Sequence, residues 1–275
     1  MQAQARYPVS IESMSDKGVG APQLGENLWG YGKRLLFVDT ALRLEFPGRA
    51  RSELRLLDIG CGNGSQLAIP MAHAGYQVTG VDPHLASIQR GRRLAPAVNF
   101  FHGVVSDLPR NQFDCVVISE VLEHLDAPEV LLLDALPYLA EPGILVVTVP
   151  NGYGEFELDR RLYGALHGEK LIGWLRSIFR KGDSSECLAG SEDQSPHVQR
   201  FTLSRLRRMF DRNGLLLIEC RGTSVVSGPM MAHLFGKFHI FVRLNAALAD
   251  HLTLALVSGW MFALKRKSSG RDIHR

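Results

Sequence analysis

The sequence predicts an α/β protein built on a doubly wound, mostly parallel sheet of seven strands. Three observations support this fold class. Short apolar runs alternate with stretches of helical periodicity between about residues 54 and 149, as strands and crossover helices do. Several runs are apolar at nearly every position, which indicates strands buried on both faces. A glycine-rich turn follows the first run, at the strand end where such sheets bind ligands.

The predicted elements follow in a regular order. A first helix is expected over 25–46, since it carries apolar residues on one side and Pro47-Gly48 ends it. The expected strands are 54–59, 77–81, 98–102, 113–119, 144–149, 215–220 and 259–265. The expected helices between them are 65–74, 84–94, 127–139 and 202–213. Thr202 is a predicted N-cap, and Gly214 stands where the last of these helices should end.

This order divides the chain into four parts. We expect an N-terminal extension with a helix (1–49), a ligand-binding core (50–150), a cap insertion after the fifth strand (151–200) and the rest of the sheet (201–275). The cap is assigned because 151–196 interrupts the alternation. Connections of that length in a compact domain are usually functional or flexible.

Composition excludes several classes of protein. The 275 residues are 45% hydrophobic and 21% charged, an ordinary balance for a globular protein. A net charge of +3 does not by itself indicate a nucleic-acid partner. The four cysteines include no C-x-x-C pair, so there is no zinc or redox motif of that type, and a reducing compartment is expected.

Hydropathy predicts the location of the protein. Residues 1–18 lack the apolar core of a signal peptide, and the apolar tract 252–264 is shorter than the ~20 residues that span a bilayer. We therefore expect a cytoplasmic protein. The segment 170–181 has apolar residues at helical spacing between Lys and Arg residues. It is expected to pack on the core as a cap helix, or else to contact a membrane peripherally.

The glycine-rich turn points to a ligand. Asp58 lies near the end of the first strand, and Gly60, Gly62 and Gly64 follow at alternate positions, with Cys61 after the first of them. Glycine allows a positive φ and leaves no Cβ between the backbone and a small molecule. The alternative is a set of tight turns without a ligand, but that would not explain the nearby carboxylates.

A second carboxylate narrows the choice of ligand. Asp82 ends the second strand, directly before Pro83, and its two oxygens can accept from both hydroxyls of a ribose. Dinucleotide-binding turns have the spacing G-x-G-x-x-G, whereas here Ser65 takes the place of the last glycine. Asp58 would repel a pyrophosphate, but it suits an amino acid ammonium group. A nucleoside-containing cofactor is therefore expected.

These motifs resemble those of class I S-adenosylmethionine-dependent methyltransferases. The family's first motif stands here as DIGCGNG, and its later motifs as VD, GVVSDLP, FDCVVISEVLEHL and EPGILVVTVPN, within roughly residues 50–220. The resemblance implies a Rossmann-like methyltransferase sheet and S-adenosylmethionine as the cofactor. It also implies cofactor contacts from the glycine turn, Asp82, Pro83, Asp107 and Ser119. Val104 stands where many relatives have aspartate, so Asp107 or backbone groups alone would contact the adenine.

The segment E-x-x-E-H places Glu120, Glu123 and His124 directly after the fourth strand. On a helix these positions would share one face, and two neighbouring carboxylates are costly without a cation. The segment resembles that of ubiquinone-biosynthesis O-methyltransferases and small-RNA 2′-O-methyltransferases, which hold a divalent cation there. This resemblance implies Mg²⁺ or another divalent cation bound by these three residues and His197. Alternatively, His124 orients the substrate or acts as a base, and Glu123 caps a helix or pairs with an arginine.

The residues after the fifth strand are expected to face the methyl acceptor. Asn151 lies beside the expected centre of methyl transfer and completes a candidate catalytic set with His124 and His197. Tyr153, with Glu155 and Phe156, lines the acceptor pocket or only forms a glycine-rich turn into the cap.

The sequence as a whole predicts O-methylation of a small hydroxylated metabolite, a sugar or a lipid-linked acceptor. One alternative is an RNA 2′-O-methyltransferase, which the mild charge and the lack of an added RNA-binding module disfavour. Another is a methyltransferase-like scaffold that binds the cofactor without catalysis. A small-molecule acceptor is the expected partner, nucleic acid is not, and no oligomeric state is predicted.

Overall fold

A mixed sheet of seven strands organises the part of the chain that the structure describes. The computed structural model describes residues 26–109, 112–154, 197–228, 231, 235–236 and 238–267. The strands are β1 (Arg55–Ile59), β2 (Gln77–Asp82), β3 (Asn99–His102), β4 (Phe113–Ser119), β5 (Leu139–Pro150), β6 (Leu215–Gly222) and β7 (Gly259–Arg266). The α-helices of these ranges are α1 (Tyr31–Glu45), α2 (Ala68–His73), α3 (Leu85–Leu94), α4 (Pro128–Ala135), α5 (Leu203–Arg212) and α6 (His239–Leu248).

The strand order confirms the predicted fold class. The sheet runs β3-β2-β1-β4-β5-β7-β6. The strands β1 to β5 pair in parallel, whereas β7 is antiparallel to both β5 and β6. Because β1 lies between β2 and β4, the chain changes direction across the sheet there. Sheets of this type bind ligands at the carboxyl ends of the strands beside that point.

The core lies on both faces of the sheet. On β4, Val116 and Ile118 pack into one apolar cluster with α4 and α5, whereas Cys115 and Val117 pack into another with α1, α2 and α3. This alternation follows from the two-residue period of a strand. Burial on both sides explains why the central strands are apolar at nearly every position.

Several predicted element ends are wrong. The predicted helix 127–139 is too long: α4 ends at Ala135, and Leu136–Tyr138 is a 3₁₀ turn. Pro137 explains this, because it has no amide hydrogen and restricts the residue before it. The fifth strand begins at Leu139, five residues before its predicted start. The first helix begins at Tyr31, later than predicted.

The signals predicted for α5 are confirmed, whereas α6 was not predicted at all. The Thr202 hydroxyl accepts a hydrogen bond from the Arg205 amide, and Gly214 has φ +69°. Most of the predicted cap lies outside the described residues, including Glu155, Phe156 and the segment 170–181. Among the helices that are described, none is both long and apolar enough to cross a membrane.

Candidate active site

The glycine turn, which we define as residues 58–64, uses its three glycines in two ways. Gly60, Gly62 and Gly64 all have positive φ values. A Cβ on Gly60 would meet Val121 at 2.5 Å, and one on Gly64 would meet Phe100 at 2.5 Å. A Cβ on Gly62 would meet no atom within 4 Å. The outer glycines are therefore required by the packing of the protein, whereas the middle one borders open space in which a ligand could lie.

The side chain of Cys61 points away from that space. It is buried and packs against Gly80: a Cβ added to Gly80 would lie only 2.7 Å from the Cys61 Sγ. Burial also raises the pKa of the Cys61 thiol, which disfavours the thiolate form. Only the backbone of Cys61 is available for the predicted cofactor contact.

Asp82 connects the turn to the end of β2. One carboxylate oxygen accepts the Gly62 amide and the other accepts the His84 amide, both at 2.8 Å. The next residue, Pro83, has its carbonyl oxygen 3.0 Å from Nε2 of His102. These bonds fix the position of the Asp82 carboxylate beside the open side of Gly62. Its remaining lone pairs stay available to hydroxyl donors.

Asp58 is a buried carboxylate beneath the turn. Burial raises the pKa of Asp58 from 3.8 to about 7, and the nearby Asp82 charge adds to the rise. The Ala68 amide and the Arg34 guanidinium oppose it. A carboxylate in this state is stabilised by a nearby cation, since the cation favours its ionised form.

Arg34, on α1, is a site residue that the sequence reasoning missed. It is almost fully buried, donates to Ser119 Oγ at 3.2 Å and lies 3.7 Å from a Glu120 oxygen. Its Nε has no hydrogen-bond partner among the described residues. One turn earlier, the Tyr31 hydroxyl donates to the Ser65 carbonyl. Helix α1 therefore covers the carboxyl ends of β1 and β4. The sequence signal that could have indicated this residue is the pair Lys33-Arg34, which directly precedes the apolar residues of the first helix.

Glu120 does not lie on a helix with the other E-x-x-E-H residues, so that prediction is wrong. It has φ +55°, and the 3₁₀ turn Leu122–His124 begins only two residues later. Its carboxylate accepts from the Thr148 hydroxyl at 2.7 Å, and Thr148 also lies 3.0 Å from Ser119. Glu120 thus belongs to a polar network between β4, β5 and α1.

The acceptor cluster, which we define as Glu123, His124 and His197, contains three of the four predicted metal ligands. Each offers one ligand atom, and the three atoms lie within 4.8 Å of one another. Glu123 is fully buried, and burial together with Glu120 raises its pKa well above the ordinary value. Glu123 Oε2 and His124 Nδ1 are buried and have no hydrogen-bond partner within the described ranges. Buried polar atoms without partners are costly, which indicates a site built for a ligand.

Backbone hydrogen bonds bring His197 to the cluster. The amides of Val198 and Gln199 both donate to the Glu123 carbonyl at 2.9 Å. The imidazole rings of His124 and His197 then meet edge to face, with centroids 4.9 Å apart. The returning end of the predicted cap is therefore fastened directly onto the E-x-x-E-H segment.

Asn151 fastens the end of β5. Its side-chain amide donates to the carbonyls of Ala255 and Val257, and its side-chain oxygen accepts the Tyr153 amide. Both amide hydrogens are thus used inside the protein, and a catalytic role for Asn151 stays a prediction. Tyr153 itself is exposed.

Asp107 caps a turn. Its carboxylate accepts the Val104 amide at 3.0 Å and closes the 3₁₀ turn Val105–Asp107. The carboxylate therefore has a structural role in this turn. The adenine contact of Asp107 stays a prediction.

Comparison with known proteins identifies the family. A family model described as a methyltransferase domain matches residues 29–219. The chain belongs to this family. The match includes α1, and it confirms the prediction of a class I S-adenosylmethionine-dependent methyltransferase.

Curated relatives of the methyltransferase share one name. The Ubiquinone biosynthesis O-methyltransferase of Nitrobacter winogradskyi is 31% identical over 208 residues, which cover 71% of this chain and 70% of the relative. The protein of that name from Rickettsia canadensis is 26% identical over 129 residues, 45% of this chain and 52% of the relative. The methyltransferase thus spans only about half the length of the second relative.

Solved structures share the fold. The [4+2]-cyclase SpnF superposes with a TM-score of 0.52 at 16% identity, covering 90% of this chain and 89% of its own. PKMT2 from Rickettsia typhi, in complex with AdoHcy, also gives a TM-score of 0.52 at 16% identity, covering 83% of this chain and 52% of its own. At this identity the likeness concerns the fold alone.

Proposed function

We propose that this methyltransferase methylates the hydroxyl oxygen of a small acceptor, and that lipid-linked phenols are the first class to test. The observation that carries the proposal is the acceptor cluster, Glu123, His124 and His197, at the carboxyl end of β4. A buried carboxylate beside two imidazoles can take a proton from a hydroxyl or orient it. The names of the curated relatives, which refer to ubiquinone biosynthesis, favour a lipid-linked acceptor.

The donor side of the site fits S-adenosylmethionine. The open side of Gly62 leaves room for the nucleoside, and Asp82 is fixed where its oxygens can accept the ribose hydroxyls. Asp58 and Arg34 place a carboxylate and a guanidinium near each other in a buried region. These opposite charges suit the ammonium and carboxylate groups of a methionine. The unpartnered Nε of Arg34 supports this assignment.

The acceptor side supplies position and a base. When bound, S-adenosylmethionine supplies a methyl group that is already activated on a sulfonium. The residues of this chain would orient the acceptor hydroxyl towards that methyl group, and in the absence of a cation His124 would take the hydroxyl proton. Holding the two reactants in line in a buried site can supply ~7–11 kcal/mol of the barrier reduction.

The acceptor cluster also fits a divalent cation. The donor set, one carboxylate and two imidazoles, suits Mn²⁺, Fe²⁺ or Zn²⁺ better than Mg²⁺. The unpartnered atoms Glu123 Oε2 and His124 Nδ1 support the fit. A cation held there would lower the pKa of the acceptor hydroxyl. Glu120 would act from outside this donor set, since its carboxylate is engaged by Thr148 and lies near Arg34.

An acceptor screen tests the proposal. Release of S-adenosylhomocysteine is measured with polyprenylated catechols, simple catechols, sugars and a short RNA, before and after removal of metals by a chelator. We expect turnover with a catechol and its loss on chelation, with recovery on addition of Mn²⁺. Turnover that survives chelation would contradict a role for the cation. It would leave His124 as the group that takes the proton of the acceptor hydroxyl. Turnover only with RNA, or with no acceptor, would overturn the proposed substrate class.

Variants connect turnover to the acceptor cluster. Glu123→Gln and His197→Asn should each lower turnover by ~10²-fold or more, since general acid–base groups contribute ~10²–10⁴-fold. His73→Asn, at the end of α2, is the matched control and should leave turnover unchanged. Equal activity of the cluster variants and the control would remove the cluster from the reaction.

A further inference from the structure

Helix α6 carries its large apolar residues on the outside. Ile240, Leu244 and Leu248 recur every four residues and are 78%, 57% and 53% exposed. Leu252 and Leu256, in the irregular segment that follows the helix, are also exposed. We define these five residues as the apolar stripe. Phe238 adds a further exposed aromatic ring just before the helix. Several large apolar side chains exposed on one face of a helix are typical of an interaction site.

The inner face of α6 is the reverse of an ordinary amphipathic helix. It buries small or polar residues, Val242, Asn245 and Ala246. The Asn245 side chain accepts the amides of Val225 and Val226 and donates to the Val226 carbonyl. Polar contacts thus hold the helix in place and leave its large apolar side chains outside. A helix of a monomeric globular protein places them the other way round.

Lys33 provides a second attachment of α6. Its buried ammonium donates to the Ala246 carbonyl at 2.8 Å and pairs with Asp250 at 2.8 Å. Because Lys33 is next to Arg34 on α1, the helix is anchored to an element that borders the donor side. The orientation of the stripe is therefore fixed relative to the site.

The charged residue on the outside of α6 is an arginine, and two exposed histidines lie near it. Arg243, His239 and His251 are exposed, and α6 itself contains no acidic residue. The nearby acid, Asp250, is paired with Lys33. We propose that the apolar stripe and these basic residues bind the surface of an anionic lipid bilayer, with the stripe lying in the interface. Apolar side chains beside basic ones are the composition of helices that lie on membranes.

The stripe ends next to the acceptor side of the site. Its last residue, Leu256, lies between Ala255 and Val257, whose carbonyls accept the side-chain amide of Asn151 at the end of β5. A bilayer on the stripe would therefore lie near the entry of a lipid-linked acceptor. That consequence rests on the proposed function, whereas binding of the bilayer can be measured without donor or acceptor.

Sedimentation with vesicles tests the proposal. The full chain is mixed with vesicles of phosphatidylcholine alone and of phosphatidylcholine with phosphatidylglycerol, at low and high salt. We expect sedimentation with the anionic vesicles that weakens with salt, because basic residues near an anionic surface are screened by ions. No binding to either vesicle would overturn the proposal.

Two matched variants locate the contact. Ile240→Ser/Leu244→Ser should lower vesicle affinity by about tenfold or more. The variant lacks two aliphatic side chains that the bilayer interface would bury. The control Leu216→Ser/Ile218→Ser removes two apolar residues of β6 that are also exposed, 51% and 50%, and should bind like the unchanged chain. Equal binding of all three proteins would contradict the assignment to α6. A dimer in analytical ultracentrifugation that the α6 variant dissolves would assign the stripe to a second copy and overturn the membrane proposal.

Failure of the membrane proposal is distinguishable from failure of the proposed function. The α6 variant should keep its affinity for S-adenosylhomocysteine, because both substituted side chains lie on the exposed face of α6. It should also keep turnover with a short catechol in solution. A chain that binds vesicles but methylates no hydroxyl would disprove the proposed function and leave the membrane surface standing.

Discussion

The donor side and the acceptor side of the site are built in different ways. The donor side is centred on one turn, 58–64, which a backbone amide fastens to Asp82. The acceptor side combines Glu123 and His124 with His197, which is distant in sequence, and it leaves Glu123 Oε2 and His124 Nδ1 buried without hydrogen-bond partners among the described residues. The first arrangement is fixed before any ligand binds. The second retains an electrostatic cost that a proton, a cation or a substrate can relieve. Changes on the two sides should therefore have separable effects.

The largest expected effect tests whether the glycine turn is a packing element. Gly64→Ala should lower the free energy of unfolding by about 2–5 kcal/mol, because a Cβ would overlap Phe100 and would also require a left-handed residue. Gly214→Ala is the control: it has φ +69° and no neighbour within 4 Å, so it should cost only ~1–2 kcal/mol. Denaturant unfolding measures both. Equal losses would show that the contact with Phe100 has no role.

Gly62→Val should act mainly on binding, with a further loss of ~1–2 kcal/mol in stability because φ is +55° at this position. Its side chain would fill the open space beside Asp82, so affinity for S-adenosylhomocysteine should fall by about a hundredfold or more. Calorimetry measures the affinity, and circular dichroism checks the fold. A folded variant that binds normally would place the cofactor elsewhere.

Asp82→Ala should weaken the same binding by about tenfold or more, because hydrogen bonds to charged groups contribute ~1.5–3 kcal/mol. Asp134→Ala, an exposed carboxylate on α4, serves as the control and should have no effect. An unchanged affinity in folded Asp82→Ala would remove this residue from the donor side.

A smaller effect concerns Asp58. Its pKa is raised from 3.8 to about 7, so the folded state holds a proton that the unfolded state has lost, and stability falls as pH rises across this range. An ammonium group near Asp58 would favour the ionised form. Binding of S-adenosylhomocysteine should thus release up to about one proton at about pH 6 and almost none at about pH 8.5.

Calorimetry in buffers of different ionisation enthalpy measures this release, and Asp58→Asn should abolish it. Proton release that is equal at both pH values, or that persists in the variant, would assign the proton to another group.

The fold and the donor side were predictable because their signals are local. The apolar strands, the glycine turn and Asp82 each follow from a few consecutive residues, and the sheet confirms the order they imply. The acceptor side depends on long-range contacts. Glu120 follows β4 with φ +55°, so the expected helix does not form at this residue. The periodicity of apolar residues in the sequence does not reveal such a conformation.

Two misses have physical causes as well. Arg34 was overlooked because a charged residue on a helix is usually exposed, and only the fold shows that it is buried against Ser119. Helix α6 was missed because its apolar residues face outward and a lysine, a histidine and an arginine interrupt the tract that contains it. The position of His197 beside His124 was expected from a resemblance, and the geometry now brings the two rings together.

The most direct test of the two-sided site is one variant examined in two ways. His124→Asn removes an imidazole of the acceptor cluster that lies beside Glu123 and His197. Turnover of an acceptor that the screen identifies as a substrate should fall by ~10²–10⁴-fold. Affinity for S-adenosylhomocysteine, measured by calorimetry on the same preparation, should stay within about twofold. Turnover at the unchanged rate, or a loss of affinity as large as the loss of turnover, would contradict the separation of donor and acceptor sides.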